Sequence, residues 1–563
     1  MKVTHPSNSL CRSCRADGSS PPAEATKPRE RSHMLSPAED ERDVLAAFKT
    51  VDDILVHHAR RRPDATAYFF EGDALSWAEL DRRATRIANG LIAADVPFQG
   101  RVAYIGKNNS RFFELLAGCA RSGRVLTPIN WRLATPEFID LLNDFDVEFL
   151  VLDDFLAGQL ASIRVGAPRL RRIVMLGAAQ DGHPAFDDWR DASPETGVEV
   201  RIDPEDIVLQ MHTSGTSGRP KGAMHSNRVY LAQARLCQSG DLGDWRQSDV
   251  IMIPLPIFHV GGVGYASYGH YLGAETVVSR EASPDGIIQT LRQRPVTRMG
   301  LVPAIIAMVL DHPDFDRDLV RHLRCLQFGG SPISAELLER AFHAFGCDLW
   351  QQFGMTETAS IGTWMALRHG EEVEPELLRS VGRAFHNVGL RIVDPDGADL
   401  PVGQSGEILI KTPTLMNGYY KRPEATDEVV RDGWYHTGDV GYLNENGYLF
   451  INDRIKDMVI TGGENVYSIE VEQALCRHPA VLDAAVIGIP SQKWGEDVMA
   501  FVVRRPGHEI TEDEVITDCR GRIAHFKCPR HVRFVDAIPR NAVGKALKRV
   551  LREPFWKDRP TSV

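Results

Sequence analysis

Residues 206–222 read DIVLQMHTSGTSGRPKG, a strand-like run followed by a loop of small residues and a lysine. The small and hydroxyl-bearing residues of this loop are Thr213, Ser214, Gly215, Thr216, Ser217 and Gly218. Small residues let backbone N–H groups approach phosphate oxygens, hydroxyls can donate hydrogen bonds, and Lys221 adds positive charge. The loop is not a Walker A sequence, because Pro220 and Gly222 flank the lysine where that motif needs Gly and Ser or Thr. The stretch therefore predicts a phosphate-binding loop at the end of a strand.

Short β-branched runs alternate with helical patterns on both sides of this loop. The predicted strands span residues 101–105, 124–129, 149–152, 172–176, 206–211, 250–255, 276–279, 296–302, 325–328, 390–393 and 407–411. Two predicted helices, over 77–94 and 512–524, begin with capping-box spacing, at Ser76 with Glu79 and at Thr511 with Glu514. Strands that alternate with helices indicate an α/β architecture with largely parallel sheets.

Changes in residue composition along the chain predict one large body and a smaller C-terminal unit. Residues 1–43 are predicted to be a disordered tail, rich in Ser, Pro, Arg and Lys, and translation from Met34 is a hypothesis. The large N-terminal domain is predicted over 44–455, and a small α+β domain over 456–563. No secretory signal is visible near the N-terminus.

Composition narrows the classes of protein. With 43% apolar and 25% charged residues, the 563-residue chain has the balance of a globular protein, and its net charge of −11 argues against a nucleic-acid partner. Nine scattered cysteines favour a reducing compartment, the cytoplasm. Cys11 and Cys14 have CxxC spacing without a second pair, so we interpret them as free thiols.

One stretch, 250–274, contains no charged side chain and raises the question of a membrane span. It also contains Pro254, Pro256, two histidines and five glycines, which disfavour a helix in lipid. We therefore predict no membrane span, and a buried strand followed by a glycine-rich turn.

Seven motifs recur in a characteristic order along nearly the whole chain. They are TSGTSGRPKG (213–222), PLPIFHVGG (254–262), FGGSPIS (328–334), QQFGMTET (351–358), WYHTGD (434–439), NDRIKDMVITGGENVYS (452–468) and PRNAVGKALKR (539–549). In this order they resemble the adenylate-forming enzymes, which include acyl-CoA synthetases, luciferases and peptide-synthetase adenylation domains. The resemblance implies that a carboxylic acid reacts with ATP to give acyl-AMP and pyrophosphate, after which a thiol, most simply that of CoA, displaces AMP.

The resemblance implies a role for each matching nucleotide-site residue. Glu357 would bind Mg²⁺, a cation that prefers hard oxygen ligands, and Thr213 would assist at the metal. Thr356 would donate to the α-phosphate, and Lys545 would be the catalytic lysine of the adenylation step. The remaining nucleotide positions are Gly330, Ser331 and Pro332 beside adenine, Phe353 stacked on it, Gly354 and Met355 in the same motif, and Asp439 and Arg454 at the ribose.

The resemblance also implies a moving C-terminal domain with two working faces. Lys456 matches the hinge about which the small domain rotates after adenylation. Gly462, Gly463 and Glu464 match the face that then lines the CoA tunnel. Lys548, Arg549 and Arg552, beyond the catalytic lysine, are interpreted as a solvated helix face or loose contacts to CoA phosphates.

The motifs specify the acid-binding residues less closely than the nucleotide-binding residues. The residues expected to face the acid are Phe258, His259, Val302, Pro303, Gly329, Gln352 and Gly354. His259 stands where amino-acid-activating relatives place Asp, which disfavours an amino acid, and it could act as an acid–base group or, as we favour, in gating and packing. Gly354 stands where acetyl-CoA synthetases place Trp, which predicts depth for a larger acid.

Alternatives remain for substrate and for function. We favour a medium- or long-chain fatty acid over an aryl acid, and CoA over a carrier protein loaded in trans. A luciferase-like oxidative role shares every motif, whereas a catalytically silent adenylate-binding protein is disfavoured by Thr356, Glu357, Asp439, Arg454 and Lys545. The oligomeric state, including a homodimer, is left open.

Overall fold

Four β-sheets and the helices around them organise the chain in the computed structural model, which describes residues 39–213, 220–331, 333–374, 376–462, 464–540 and 544–557. The α-helices are α1 (Glu39–Ala46), α2 (Val51–Arg61), α3 (Trp77–Ala93), α4 (Ser110–Ser122), α5 (Thr135–Asp144), α6 (Leu160–Gly166), α7 (Phe186–Asp191), α8 (Asn227–Ala234), α9 (Val260–Leu272), α10 (Pro284–Gln293), α11 (Pro303–Leu310), α12 (Ala335–Phe345), α13 (Pro423–Val429), α14 (Ser468–Cys476), α15 (Glu512–Arg520) and α16 (Lys548–Trp556).

The strands of the large body form three of the sheets. They are β1 (Thr66–Phe70), β2 (Asp73–Ser76), β3 (Arg101–Ile105), β4 (Val125–Ile129), β5 (Val147–Leu152), β6 (Arg172–Met175), β7 (Ile207–Thr213), β8 (Lys221–Ser226), β9 (Val250–Ile253), β10 (Glu275–Val278), β11 (Arg298–Leu301), β12 (Cys325–Gly329), β13 (Asp348–Phe353), β14 (Thr363–Leu367), β15 (Arg383–Ala384), β16 (Gly389–Val393), β17 (Gly406–Lys411), β18 (Val430–Arg431), β19 (Trp434–Leu443) and β20 (Leu449–Arg454). The remaining strands are β21 (Val459–Thr461), β22 (Glu464–Val466), β23 (Val481–Ser491), β24 (Gly495–Arg504) and β25 (His531–Phe534).

Two sheets of the large body are mainly parallel. The six-stranded sheet has the order β6-β5-β3-β4-β7-β8, and the nine-stranded sheet has the order β15-β14-β13-β12-β11-β9-β10-β1-β2. Their central strands are fully buried, as in β3 and β4, because helices cover both faces. Antiparallel strands such as β8 and β14 flank the parallel core.

A third sheet of the large body is antiparallel, and the C-terminal residues build a fourth. The third contains β16–β20, and in the fourth only β24 and β25 are parallel among the described pairs. The buried apolar clusters that contain Val459 and Ile487 draw all their members from residues after 458. The C-terminal unit thus has hydrophobic cores of its own.

The predicted α/β class is confirmed, with parallel-rich sheets in the large body and a smaller α+β unit after it. Each predicted strand overlaps an observed one, and 101–105 coincides with β3. The cap of α15 is a complete capping box, although the helix ends at Arg520, where Gly521 follows, and not at 524. The cap of α3 is only half of the predicted box. Ser76 Oγ accepts from the Glu79 N–H, but the Glu79 carboxylate accepts from Arg83 Nε at 2.6 Å instead.

The predicted glycine-rich turn after 255 is wrong, because these residues form α9. This helix is buried on nearly all sides, and its glycines permit close packing. A Cβ on Gly262 would overlap the carbonyl of Pro256, and one on Gly264 would overlap the amide of Gln233. Within the described residues, no helix combines the length and apolarity that crossing a bilayer requires.

The predicted tail, 1–43, is also corrected at its end. Helix α1 begins at Glu39, and Leu45 and Phe48 anchor this segment in the core. A boundary drawn from composition misses such a helix, because its buried anchors lie beyond the polar residues. Met34, Cys11 and Cys14 lie outside the described residues.

Candidate active site

The predicted phosphate loop joins two antiparallel strands. Strand β7 ends at Thr213, which lies opposite Lys221, the first residue of β8. The loop therefore leads into a strand, unlike a Walker A loop, which leads into a helix. Of the predicted loop residues, Ser214, Gly215, Thr216, Ser217 and Gly218 lie outside the described residues.

The Thr356–Glu357 pair lies on a single 3-10 turn, Thr356–Thr358, directly after β13. Three successive carbonyl groups of this turn are held from outside. His225 Nε2 bonds the Thr356 carbonyl, the Met416 N–H donates to the Glu357 carbonyl, and Thr414 Oγ1 donates to the Thr358 carbonyl, each at 2.8 Å. The turn is thus fixed between β8 and the segment after β17.

The Glu357 carboxylate has the chemistry of a magnesium ligand. It is buried, and Tyr419 donates its hydroxyl to Oε1 at 2.6 Å. Burial raises the pKa of Glu357, and the Tyr419 hydrogen bond, Arg454 and Lys221 oppose that shift. A hard cation would further favour the ionised form. Among the described residues, no group of three or more His, Cys, Asp or Glu side chains is arranged to hold a metal, so phosphate oxygens would have to complete the coordination.

Asp439, Arg454 and Lys545 converge from the two parts of the chain. Asp439 on β19 and Arg454 on β20 are cross-strand neighbours, and Arg454 Nε lies 3.0 Å from Asp439 Oδ1. Burial raises the pKa of Asp439, and the charges of Arg454 and Lys545 lower it. Desolvation, with the charge of Arg454, lowers the pKa of Lys545 to about 7, against the pull of Asp439. Gly544, which precedes this lysine, packs beside Ala304 of α11, with 3.6 Å between a Cβ built on it and that of Ala304.

Two residues of the predicted CoA face, Gly462 and Glu464, are exposed. Gly462 has a φ of +63°, and a Cβ built on it would lie 2.9 Å from Cε3 of the Trp494 ring. Gly463 lies outside the described residues. Lys456 lies in a 3-10 turn, Ile455–Asp457, and its carbonyl accepts from Arg552 Nη1 at 2.6 Å.

The predicted solvated face of α16 is wrong for Lys548. This lysine is buried, donates to Ser468 Oγ, and lies 2.7 Å from Glu472 Oε1. Arg552 is also bonded, whereas Arg549 is exposed. A basic run near a helix start says nothing about which carboxylates the fold brings to it.

The glycine-rich turns lie at the ends of neighbouring strands. Strand β12 ends at Gly329, and Gly330 follows with a φ of +80°, beside Val302 and next to Ser331. Pro332 lies outside the described residues. Phe353 and Met355 are half-buried and pack against the antiparallel sheet of β16–β20.

The backbone gives a further reason for glycine at 354. A Cβ on Gly354 would overlap the backbone carbonyl of Ser360, so two backbone segments meet at this position. Ala359 and Ser360 take left-handed φ values of +50° and +65° to complete that turn. That Gly354 also leaves depth for a larger acid stays a prediction.

The acyl-side residues gather between α9, α11 and the nine-stranded sheet. Phe258 is buried with its ring centroid 4.6 Å from that of His259, which precedes α9, and Val302 and Pro303 begin α11. Burial, with smaller contributions from His212 and Arg132, lowers the pKa of His259 to about 3. The imidazole is therefore neutral near pH 7, and its Nε2 has no hydrogen-bond partner among the described residues.

Sequence reasoning missed four side chains in these surroundings. His225, Tyr419 and Tyr435 support the Glu357 turn or its carboxylate, and His212 lies near His259. Tyr419 stands in an isolated Tyr-Tyr pair, and His225 in a polar strand, so neither pattern singles out a site. Only the pairing of distant strands brings these residues together.

Comparison with known proteins identifies the family. Residues 55–420 match the model for the AMP-binding enzymes, and residues 470–545 match that for the C-terminal domain of AMP-binding enzymes. The first match alone covers more than half of the chain. The chain therefore belongs to the AMP-binding enzyme family, within the adenylate-forming superfamily of the acyl-CoA synthetases, and the resemblance drawn from the seven motifs is confirmed.

Three relatives show the range within this family. The chain is 37% identical to a fatty acid–[acyl-carrier-protein] ligase, ScoC, of Streptomyces coeruleorubidus, over 89% of this chain and 95% of that protein. It is 36% identical to a feruloyl-CoA synthase of an Amycolatopsis species, over 89% and 98%. The structure of the anthranilate CoA ligase AuaEII in complex with anthranoyl-AMP matches with a TM-score of 0.82 at 27% identity, over 90% of this chain and 97% of that one.

Proposed function

We propose that this enzyme is an ATP-dependent acid–thiol ligase that makes an acyl-AMP and then transfers the acyl group to CoA. The observation that carries the proposal is the convergence of Asp439, Arg454 and Lys545 beside the buried Glu357 turn. A carboxylate and ATP are both anions, so their reaction needs positive charge and oriented donors at the α-phosphate. This cluster supplies them from both parts of the chain.

In the first half-reaction, a carboxylate oxygen attacks the α-phosphorus and the bond to pyrophosphate breaks. Lys545 bridges the carboxylate and phosphate oxygens, Thr356 donates to the α-phosphate, and Asp439 with Arg454 holds the ribose. By the resemblance, Lys221 and the loop that follows Thr213 in the sequence would bind the leaving pyrophosphate. Mg²⁺, held by Glu357 with help from Thr213, would supply charge neutralisation on the phosphates.

In the second half-reaction, a thiolate attacks the acyl carbon and AMP leaves. We propose domains at 44–455 and 456–563 with Lys456 as the hinge, so that rotation withdraws Lys545 and brings in Gly462, Gly463 and Glu464. The separate hydrophobic cores after 458 support rotation as a unit. The exposure of Gly462 and Glu464, and the nearness of Lys545 to Asp439, support the proposal that the adenylation step comes before the rotation.

The acid and the acceptor are the finer parts of the proposal. The relatives are named for fatty, feruloyl and anthraniloyl groups, so they support an aryl acid as well as a fatty acid. One is named for a carrier protein and two for CoA, and we place CoA first and a carrier protein second. We assign the reaction to the cytoplasm, a reducing compartment, and all seven described cysteines are free thiols.

A pyrophosphate-release screen tests this function. The enzyme is incubated with ATP, Mg²⁺ and fatty, aryl or dicarboxylic acids, with and without CoA or a phosphopantetheinylated carrier protein. We expect AMP and pyrophosphate only with a cognate acid, and a thioester only when its acceptor is added. Formation of ADP and phosphate, or nucleotide turnover that ignores every acid, would contradict the proposal.

A further inference from the structure

Residues predicted to face the acid lie along one face of the nine-stranded sheet, and the residues beneath them on that face form a second layer. On that face β12 presents Gly329 and, two residues deeper, Gln327. Gly329 pairs in register with Gln352 of β13, and Gln327 with Gly300 of β11. Two residues of a strand advance about 6.6 Å, so the two layers are separated by about the width of one ring.

The second layer also forms the floor of the proposed acid site. The ring of Tyr265, from α9, lies on Gly300, with 3.4 Å between its Cγ and a Cβ built on that glycine. Tyr268 and Trp245 complete the floor, with the Trp245 ring centroid 5.0 Å from that of Tyr268 and 5.5 Å from that of Tyr265. All three side chains are buried. An extended acyl tail of medium or long chain would have to pass through them.

Two arginines are engaged beneath this floor. Arg298 lies with its guanidinium carbon 4.3 Å from the centroid of the Trp245 ring, and its Nε is 3.0 Å from Asp249 Oδ2. Arg324 Nη2 lies 3.5 Å from Asp249 Oδ1, so both guanidinium groups share this one carboxylate.

Hydrogen bonds between side-chain amides determine whether this face of the sheet presents an oxygen or a nitrogen. The backbone carbonyl of Ser360 can only accept, so Gln352 must present its amide nitrogen, at 2.6 Å. The Gln352 oxygen then accepts from the amide nitrogen of Gln327. This order leaves the side-chain oxygen of Gln327 without a donor among the described residues, on a half-buried side chain that shares a strand face with Gly329.

We propose that the acid is an aryl acid with a single ring that carries a hydroxyl or amino donor, and that Gln327 is the specificity-determining residue that accepts from it. This inference rests on the proposed ligase function and corrects our preference for a fatty acid. The aromatic floor limits the length of the acid. The orientation of the amides leaves a Gln327 oxygen that needs a hydrogen-bond donor from the acid. A site built to accept a hydrogen bond discriminates strongly against an analogue that lacks the donor.

Matched substrates test the proposal on the unmodified enzyme. Pyrophosphate release is measured with 2-, 3- and 4-hydroxy- and aminobenzoates and the corresponding cinnamates, each beside its methoxy and unsubstituted counterpart, and with octanoate and palmitate. We expect the best donor-bearing acid to exceed its counterparts at least about tenfold in kcat/KM, and the fatty acids by more. Preference for a fatty acid, or for an acid without a donor, would overturn the inference and leave the ligase function standing. Failure of every acid would overturn both.

Two variants then assign the effect to Gln327. Gln327→Leu should lower kcat/KM for the donor-bearing acid about tenfold and change that for the unsubstituted acid less than about threefold. The matched control is Gln351→Leu, a buried glutamine whose register partner, Phe328, lies in the core on the opposite face of the sheet, and it should preserve the preference. Equal losses on both acids in Gln327→Leu would overturn the assignment, and the substrate pairs still decide the acid class if the variant does not fold.

Discussion

At the scale of single residues, Lys545 is held between opposing charges. Arg454 and desolvation favour its neutral form, whereas Asp439 favours the ammonium. In the proposed adenylation step, bound ATP and carboxylate would add negative charge, which favours the ammonium. We therefore expect this lysine to regain its charge when both substrates are bound.

Replacement of this lysine should separate the two half-reactions. Lys545→Ala should reduce adenylation by about a hundredfold or more, because the charge at the α-phosphate is lost. It should largely spare thioester formation from supplied acyl-AMP, because the proposed rotation brings a different face of the domain to that step. Single-turnover assays of each step measure the split. Arg549→Ala, at an exposed position on the same segment, is the control and should leave both steps near the unmodified rate. Equal losses in both steps of Lys545→Ala would remove its assigned role.

At the scale of elements, α9 shows how tight packing reverses a local signal. Glycine disfavours helices, yet α9 contains Gly261, Gly262, Gly264 and Gly269 within 13 residues. The space that they leave is filled by neighbouring backbone and side chains, as at Gly262 beside Pro256. Packing therefore outweighs intrinsic propensity in this element.

Adjacent glycines of α9 give a matched test of this packing. Gly262→Ala should lower the free energy of unfolding by about 1–3 kcal/mol, because its Cβ would overlap the Pro256 carbonyl. Gly261→Ala should be neutral or slightly stabilising, since the nearest atom to its Cβ, on Leu255, is 3.7 Å away. Urea unfolding of both variants provides the comparison. Similar stabilities for the two would contradict the packing account.

At the scale of the whole molecule, five buried histidines tie stability to pH. Burial lowers the pKa of His58 and His259 to about 3, and that of His212, His225 and His270 to about 4. The unfolded chain takes up a proton at each near pH 6.5, whereas the folded chain does so only near pH 3–4. Stability is therefore lost as the pH falls below about 6.5.

The urea midpoint should accordingly fall between pH 7.5 and pH 5.5. Each buried histidine contributes a loss of about 1.4 kcal/mol over this interval. Buried carboxyls with raised pKa, such as Asp439 and Glu472, act in the opposite direction, because their protonation on acidification relieves the cost of their burial. The slope of the free energy of unfolding against pH gives the number of protons taken up on unfolding. His270→Gln should lower that number by about one. A midpoint that is flat or rises on acidification would contradict this account.

Much of the fold and site could be predicted because the signals are local. The strand at 101–105, the cap of α15 and the turn motifs around Glu357 and Asp439 depend on neighbouring residues, and the sequence displays them directly. The helix α9, the buried Lys548 and the helical residues before 44 could not be predicted this way. Each depends on partners that lie elsewhere in the chain.

The sequence by itself determined the family, the α/β class and the order of the chemical motifs, because these depend on residue type and spacing. Only the tertiary structure brought Lys545 beside Asp439 and Arg454, and Tyr419 beside Glu357. Only it showed that Gly354 meets the backbone of Ser360 and that the ring of Tyr265 lies against Gly300. Charge, burial and depth are properties of neighbours in space, and strand pairing across the sheets decides which residues become neighbours.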